Sequence, residues 1–469
     1  MHLSPLKNWA LRSPDCLALV TPQHQYTWSQ LEQVVSLYAK ALAGQQVTQG
    51  SVVTCVGKNS PEMLLIYLAC AELGAICALT MPQPQLALDD KLDTLYSASQ
   101  PTQVWMHDRG DAVGGLLLDI PSIAVSQIGL AQPESQIKVK SRYHADSLAS
   151  IIFTSGSMGK PKAVVHTHAQ HLASAQGLLE PFHFAPSDCW LLSLPMYHVS
   201  GLAIVYRWLA AGAQLKVGSG DLLQDVQGVT HASLVATQLE RLLSAATSLD
   251  LTHVLLGGSH VPLALSQQAA EQGIETWLGY GMTEAASTVT AKQIDATYSA
   301  GTVLPNRRLE LRKGRIYIGG ETLASGYFEQ GVITPITDAQ GWFDSKDLGE
   351  QLANGELVIK GRADNQFISG GENIHCEEIE AALNQMKGIT QSIVVPIADA
   401  EFGQRPVAVL LADALPARAS IELHLEQILV KFKWPVAYLL LPESLLGSGI
   451  KVSRKQVKDW LATQSKDAH

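Results

Sequence analysis

The sequence predicts an α/β fold: a large N-terminal domain of layered α/β subdomains plus a small β-barrel-like subdomain, followed by a small α+β C-terminal domain. Three observations predict it. Up to residue 284, apolar strand-like runs alternate with helical patterns, which implies layered units around a largely parallel sheet. From 301 to 361 short strands are split by Lys313-Gly314, Gly319-Gly320, Gly341 and Asn354-Gly355, the last a hairpin signal. From 365 to 469 helices and strands mix on a smaller scale, with QSIVVPI and PVAVLL as strands and a helix near Cys376–Met386.

The elements follow in order. YTWSQLEQVVSLYAKAL has helical periodicity, and GSVVTCVG suits a strand. Ser60-Pro61-Glu62 is a helix start, and the apolar stretch Met63–Met81 carries Glu72 and Gly74. It reads as a buried helix ending near Gly74 and then a strand, too interrupted for a membrane span. Leu148–Phe153 is a short apolar run that suits a buried strand, and Ala163-Val164-Val165 returns to strand chemistry. Residues 188–217 read strand, loop, helix, strand. Residues 252–284 form a second βαβ-like unit.

Composition bounds the function. The chain has 469 residues, 46% hydrophobic and 16% charged, which describes a globular protein of more than one core. A net charge of −10 argues against general nucleic-acid binding and against a polybasic membrane surface. An anionic substrate therefore needs local positive charge. The six cysteines show no CxxC spacing and read as reduced core thiols of a cytoplasmic protein. The sequence leaves open whether the chain forms a homo-oligomer.

Between the strands at 148–153 and 163–165 lies Thr154-Ser155-Gly156-Ser157-Met158-Gly159-Lys160-Pro161-Lys162. Hydroxyls, backbone N–H groups and cations at this density suit a polyphosphate. The spacing does not fit GxxxxGK[ST], and strand follows instead of helix, so this is a phosphate loop of another kind, set in a hairpin. A polar turn with exposed lysines is the plainer reading. Two further polar loops follow apolar strands: Gly257-Gly258-Ser259 and Gly279-Tyr280-Gly281-Met282-Thr283-Glu284. Ligands bind at the carboxyl ends of strands in open α/β sheets. There Tyr280 can stack on a planar base, and Thr283 and Glu284 offer oxygens to Mg²⁺ beside a phosphate.

His166, His168 and His171 follow the phosphate loop. His166 and His168 can share a strand face, but no Cys or carboxylate lies nearby to complete a metal site, so structural or substrate-gating roles suit them better. His198 ends an apolar strand in Pro195-Met196-Tyr197-His198. Arg207 is the odd residue of an otherwise apolar helix, and a buried arginine needs an anionic partner: an internal carboxylate or solvent is the plainer reading, a substrate carboxylate the functional one.

The string TSGSMGKPKAV resembles the TSG[ST]TGxPKG signature loop of the adenylate-forming enzymes: acyl-CoA ligases, amino-acid adenylation domains and luciferases. Met158 and Ala163 depart from its commonest form. The resemblance covers essentially the whole chain, with the motifs in order. It implies an N-terminal AMP-binding domain over 1–361 and a mobile C-terminal domain over 362–469, with the hinge at Asp364. It implies that Thr154, Ser155, Gly156, Ser157, Gly159, Lys160, Lys162, Gly258, Ser259, Tyr280, Gly281 and Met282 bind nucleotide, with Glu284 and Thr154 on Mg²⁺. Asp347, in WFDSKDLG, would hold the ribose hydroxyls with Arg362 beside it. Gly370 and Gly371, in SGGEN, would pass the pantetheine arm of CoA. Lys451, by its own pattern a surface lysine, becomes the mobile catalytic lysine, with Thr283, Glu284 and His198 as further catalytic groups; Ile450 stands where the family usually has Gly.

Within that family SLPMYHVSG, YRWL, HASLVATQLERLL, GYGMTEAASTVTAK and GIKVSR are similar to the o-succinylbenzoate–CoA ligases of menaquinone biosynthesis. That similarity implies ATP, Mg²⁺ and CoA as cofactor and co-substrates, and His198, Arg207, Ser287, Thr288 and Lys292 around the acid. o-Succinylbenzoate has two carboxylates: one is activated, and the other needs a cation such as Arg207. An aryl- or fatty-acid ligase, a carrier-protein-dependent adenylating enzyme and a non-catalytic nucleotide-binding protein are the alternatives.

Overall fold

The computed structural model describes residues 3–97, 102–107, 140–154, 161–245, 248–257, 261–369, 372–399, 401–445 and 452–464. The chain divides into two compact units: Met1–Gly257 with Leu263–Leu309 and Ile318–Phe343, and Gly258–Pro262 with Glu310–Tyr317 and Asp344–His469.

The first unit holds two large sheets. Among the described residues one has seven strands, in the order Val332–Thr334, Gly326–Glu329, Lys162–Thr167, Leu148–Thr154, Ile76–Thr80, Val52–Val56 and Val104–Met106. Leu148–Thr154 runs parallel to Ile76–Thr80 and antiparallel to Lys162–Thr167, with Thr154 opposite Lys162. The strands that flank the string therefore pair as a hairpin, as their sequence predicts, while residues 155–160 between them lie outside the described residues. The other sheet has nine: Thr302–Val303, Ser287–Gln293, Glu275–Met282, His253–Leu256, His231–Leu234, Cys189–Leu191, Gln214–Lys216, Leu17–Val20 and Gln25–Thr27. Its strands from Cys189–Leu191 to Glu275–Met282 are parallel, and Ser287–Gln293 turns back antiparallel.

Local chemistry sets the helices. Ser60 caps the helix Pro61–Leu73 with Pro at its first turn, and Gly74 ends it at φ 69°. Thr27 and Thr167 each form a reciprocal cap with the glutamine three residues on, starting Trp28–Gly44 and His168–Leu179. The helix Val199–Ala211 is buried on nearly every side, and Trp208 stacks on Trp28 at 5.1 Å. None of the described helices is long and apolar enough to cross a membrane.

The strands Arg307–Arg312, Arg315–Gly320, Phe343–Gln351 and Leu357–Arg362 pair, in that order, as a four-stranded sheet. Two short strands expected with them, Gly326–Glu329 and Val332–Thr334, join the seven-stranded sheet instead, because Gly326 and Tyr327 pair with Val165 and Val164. In the second unit Gln366–Ser369, Glu372–His375, Gln391–Asp399, Gly403–Leu411 and Ala437–Leu440 form another sheet, covered by Cys376–Leu383, whose Ile379 and Leu383 are buried.

The histidines do not share a strand. His166 lies on Lys162–Thr167, while the Thr167 cap starts a helix that carries His168 and His171. All three are buried; His168 and His171 pack on Tyr206 and His166 packs on His171, and the Tyr206 hydroxyl bonds His168 Nδ1 at 2.8 Å and Tyr67 at 2.6 Å. Ser150 Oγ bonds His171 Nε2 at 2.7 Å. Among the described residues no cluster of metal-ligating side chains forms. Cys55, Cys70, Cys77, Cys189 and Cys376 are buried free thiols, whereas Cys16 is exposed.

Burial pulls the pKa of His166 and of His168 down to about 3 from 6.5. Between those values the unfolded chain binds protons that the folded chain refuses. Stability is therefore intact above pH 6.5 and falls as pH drops through that window. By pH 5 each such histidine costs about 2 kcal/mol. Neither ring nitrogen of His166 has a partner. His166→Leu should thus leave the denaturation midpoint near its wild-type value at pH 7.5 and raise it at pH 5. Equal midpoints at pH 5 would show that the buried ring is not acid-sensitive.

Candidate active site

The carboxyl ends of the parallel strands in the nine-stranded sheet feed the polar segments on which the site is built: Ser193–His198, Val235, Gly257 and Thr283. Side chains and turns gather there because the strand interiors are apolar and the strand ends are the first places where polar groups are tolerated.

One cluster assembles at the mouth of the phosphate hairpin. Lys162 places its ammonium 4.5 Å from the centre of the Tyr327 ring, and the Tyr327 hydroxyl donates to Glu284 Oε1 at 3.2 Å. Burial and the Glu284 charge both push the Tyr327 phenol up, so it stays a donor. Thr154 pairs with Lys162 across the hairpin. The hydroxyl and carboxylate oxygens of Thr154 and Glu284 are hard donors of the kind Mg²⁺ takes. Tyr327 gave no signal in the sequence; only the pairing of its strand with Val164 brings it here.

Glu284 stands on a short turn, Thr283–Ala285, after the strand that carries Tyr280. That strand bulges between Tyr280 and Gly281. A Cβ on Gly281 would meet the Ser287 carbonyl oxygen at 1.8 Å, so this glycine lets two backbones touch. Beyond the turn Ala286 and Ser287 both take positive φ, 52° and 96°, a strained pair held by what surrounds it.

A second cluster lies behind that turn. Arg207 is buried in its apolar helix, with its guanidinium 5.3 Å from the Trp190 ring centre and Nη2 donating to Thr288 Oγ1 at 3.3 Å. Its Nε has no partner, and no ion pair to it exists among the described residues. Burial, then the charge of Arg307, pulls its pKa down to about 9. Among the described residues, then, no carboxylate balances it. Ser287 Oγ lies 3.5 Å from Thr288 Oγ1 and both residues are buried. Lys292, expected beside the acid, is committed to Asp295 at 2.7 Å and to Ser299. His198 precedes the first turn of the Arg207 helix, its ring 4.9 Å from that of Tyr197.

In the second unit Asp347 and Arg362 face each other across paired strands, with Arg362 Nη1 3.2 Å from Asp347 Oδ1 and 3.0 Å from the Ser345 carbonyl. Asp347 is buried, not merely solvated. Asp364 falls in the short turn Ala363–Asn365. Ser155, Gly156, Ser157, Gly159, Lys160, Gly258, Ser259, Gly370, Gly371 and Lys451 lie outside the described residues.

Comparison with known proteins now applies. The family model described as AMP-binding enzyme matches residues 6–328. The chain belongs to the AMP-binding enzyme family. It is 39% identical to the 2-succinylbenzoate–CoA ligase of Escherichia coli strain K12, over 98% of each chain. Among solved structures, an arginine-to-lysine variant of E. coli MenE with bound OSB-AMS has a TM-score of 0.86 at 37% identity, covering 98% of this chain and 99% of that one. MenE from Bacillus subtilis in complex with ATP and magnesium ion has a TM-score of 0.81 at 25% identity, covering 93% and 95%. An AMP-binding enzyme of this layered α/β architecture is thus what the motifs led one to expect.

The Gly281 contact is the closest approach of any glycine among the described residues. Gly281→Ala must push the Ser287 backbone away and drag Glu284 with it. A displacement of about 1 Å at a reacting group costs on the order of 10² in rate. ATP–pyrophosphate exchange should fall by about that factor. Exchange at the wild-type rate would show that the bulge relaxes without moving Glu284.

Proposed function

We propose that this AMP-binding enzyme is an ATP-dependent acid–thiol ligase, joining 2-succinylbenzoate to CoA in menaquinone biosynthesis. The observation that carries this reading is Arg207: a buried guanidinium, without a carboxylate partner among the described residues, on the far side of the turn that holds Glu284. A buried charge left unpaired is costly, so it fits a site completed by an anionic ligand. The full-length likeness to 2-succinylbenzoate–CoA ligases supplies a diacid of the right kind.

The chemistry runs in two displacements. A carboxylate oxygen of the succinyl arm attacks the α-phosphorus of ATP; that P–O bond forms, the bond to the bridging oxygen breaks, and pyrophosphate leaves. The CoA thiolate then attacks the acyl carbon; the C–S bond forms, the acyl C–O bond breaks, and AMP leaves. The first step brings two anions together, so positive charge dominates its barrier. Mg²⁺, which Glu284 and Thr154 would hold, neutralises phosphate charge. Lys162, Lys160 and the hydroxyls of the hairpin bind the phosphates, and Tyr327 orients Glu284. Lys451 carries charge to the α-phosphate. Removing one such contact costs about 3–4 kcal/mol, or 10²–10³ in rate.

Tyr280, Gly281, Met282, Gly258 and Ser259 make the base site, and Asp347 with Arg362 the ribose site. His198, Ser287 and Thr288 line the acid pocket that Arg207 closes, and Lys292 acts there through its pairing with Asp295. Asp364 is the hinge between 1–361 and 362–469, and its rotation exchanges Lys451 for the Gly370–Gly371 loop that receives CoA. ATP and CoA as substrates place the work in the cytoplasm.

The test is pyrophosphate release from ATP and Mg²⁺ with 2-succinylbenzoate, with and without CoA, beside benzoate, a medium-chain fatty acid and no acid. Multiple turnover with 2-succinylbenzoate plus CoA alone, giving AMP and the thioester, is the expected result. Arg207→Leu should raise KM for the diacid at least tenfold, the scale of one charged hydrogen bond. Turnover with another acid in its place, or an unchanged KM, would overturn the acid assignment.

A further inference from the structure

A second buried arginine stands behind the acid pocket. Arg307 is buried, and no ion pair to it exists among the described residues. Its donors go to oxygens of the helix His168–Leu179 and of its own turn. Nη2 donates to Ser174 Oγ at 2.8 Å and to the Ser174 carbonyl at 2.9 Å, and Nη1 donates to the Pro305 carbonyl at 2.7 Å. Gly177 makes room for it, since a Cβ there would meet Nη1 at 2.1 Å. Ser174 then passes its own proton on: its Oγ donates to the Ala286 carbonyl at 2.6 Å. The three-residue stretch Ala286-Ser287-Thr288 is therefore gripped from both ends, by Arg307 through Ser174 at Ala286 and by Arg207 at Thr288.

The gripped stretch is the strained one. Alanine and serine at positive φ do not stay there unaided, and the hydrogen bond to the Ala286 carbonyl is one of the contacts that hold them. A guanidinium polarises the Ser174 hydroxyl that makes it. We propose that Arg307 is a positioning residue for acid selection: through Ser174 it holds the Ala286–Thr288 stretch so that Thr288 meets Arg207 in the geometry that accepts a second carboxylate. Its positive charge adds to the same effect, since burial pulls its own pKa down only to about 10 and its field acts on Arg207. Two cations with no carboxylate between them among the described residues favour an acid that keeps a negative charge after its other carboxylate has been adenylated.

This inference rests on the diacid reading above, and the experiment separates the two. The kcat/KM values for 2-succinylbenzoate and for 4-oxo-4-phenylbutanoate, the same acid without its ring carboxylate, are measured in the wild type, in Ser174→Ala and in Arg307→Gln. Ser174→Ala keeps the buried arginine and removes one hydroxyl, so it reports even where Arg307→Gln fails to fold. The wild type should favour the diacid, and each folded variant should lose at least tenfold of that preference. A structural defect would lower both substrates together and leave their ratio intact; that outcome, or a ratio unchanged in Ser174→Ala, overturns the role of Arg307. A wild type with no preference for the diacid overturns the function reading, and this inference with it.

Discussion

A guanidinium with no carboxylate partner among the described residues, inside a helix of valine, isoleucine, leucine and tryptophan, is the constraint around which the first unit makes sense. Arg207 gains little from its surroundings: one hydrogen bond to Thr288 and the face of Trp190. Moving such a cation out of water costs several kcal/mol even after relaxation. A core assembled for stability alone would place leucine there. The stretch that carries Thr288 is also a turn held in a strained shape at Ala286 and Ser287, tied through Ser174 to a second buried arginine, Arg307.

The cluster at the Thr154–Lys162 hairpin works by different physics. Lys162 brings its positive charge and Glu284 its negative charge. The residue between them is neutral. Tyr327 lies under the Lys162 ammonium with its ring and under the Glu284 carboxylate with its hydroxyl, so it contacts both charges without neutralising either. A direct Lys162–Glu284 ion pair would remove both groups from the substrate. An aromatic spacer keeps them separate and oriented, which matters in a reaction where two anions must meet.

Much of this was legible in the chain, and the reasons are local. Ser60, Pro61 and Gly74 encode a helix start and stop through their own side chains and φ preferences, so the helix between them was readable. The alternation from 148 to 165 announced a hairpin. Arg207 stood out because its neighbours are uniformly apolar. What stayed hidden depends on distant pairing. Arg307 sits in a run of basic residues that looks solvated, and only its insertion beside Gly177 makes it buried. Tyr327 reaches Glu284 because its strand joins a sheet more than a hundred residues upstream. His168 looked like a strand residue because a capping box, Thr167 with Gln170, lies hidden in a histidine-rich string. The ion pair of Lys292 with Asp295, three residues away, likewise shows only once the strand and the turn after it are in place.

The five residues from Glu284 to Thr288 join the two halves of the site. Glu284 meets Tyr327 and Thr288 meets Arg207, and between them the backbone passes through two positive φ values, with Gly281 in contact with Ser287. A segment this short and this tightly held cannot move at one end while staying still at the other. If Arg207 and Glu284 serve acid and phosphate as proposed, filling one site would bear on the other, and with equal strength in both directions, because coupling between two binding sites is reciprocal. A ligase that must not spend ATP without its acid gains from that arrangement. The strain at Ala286 and Ser287 follows from it: relaxed backbone would give each site a turn of its own and leave them independent.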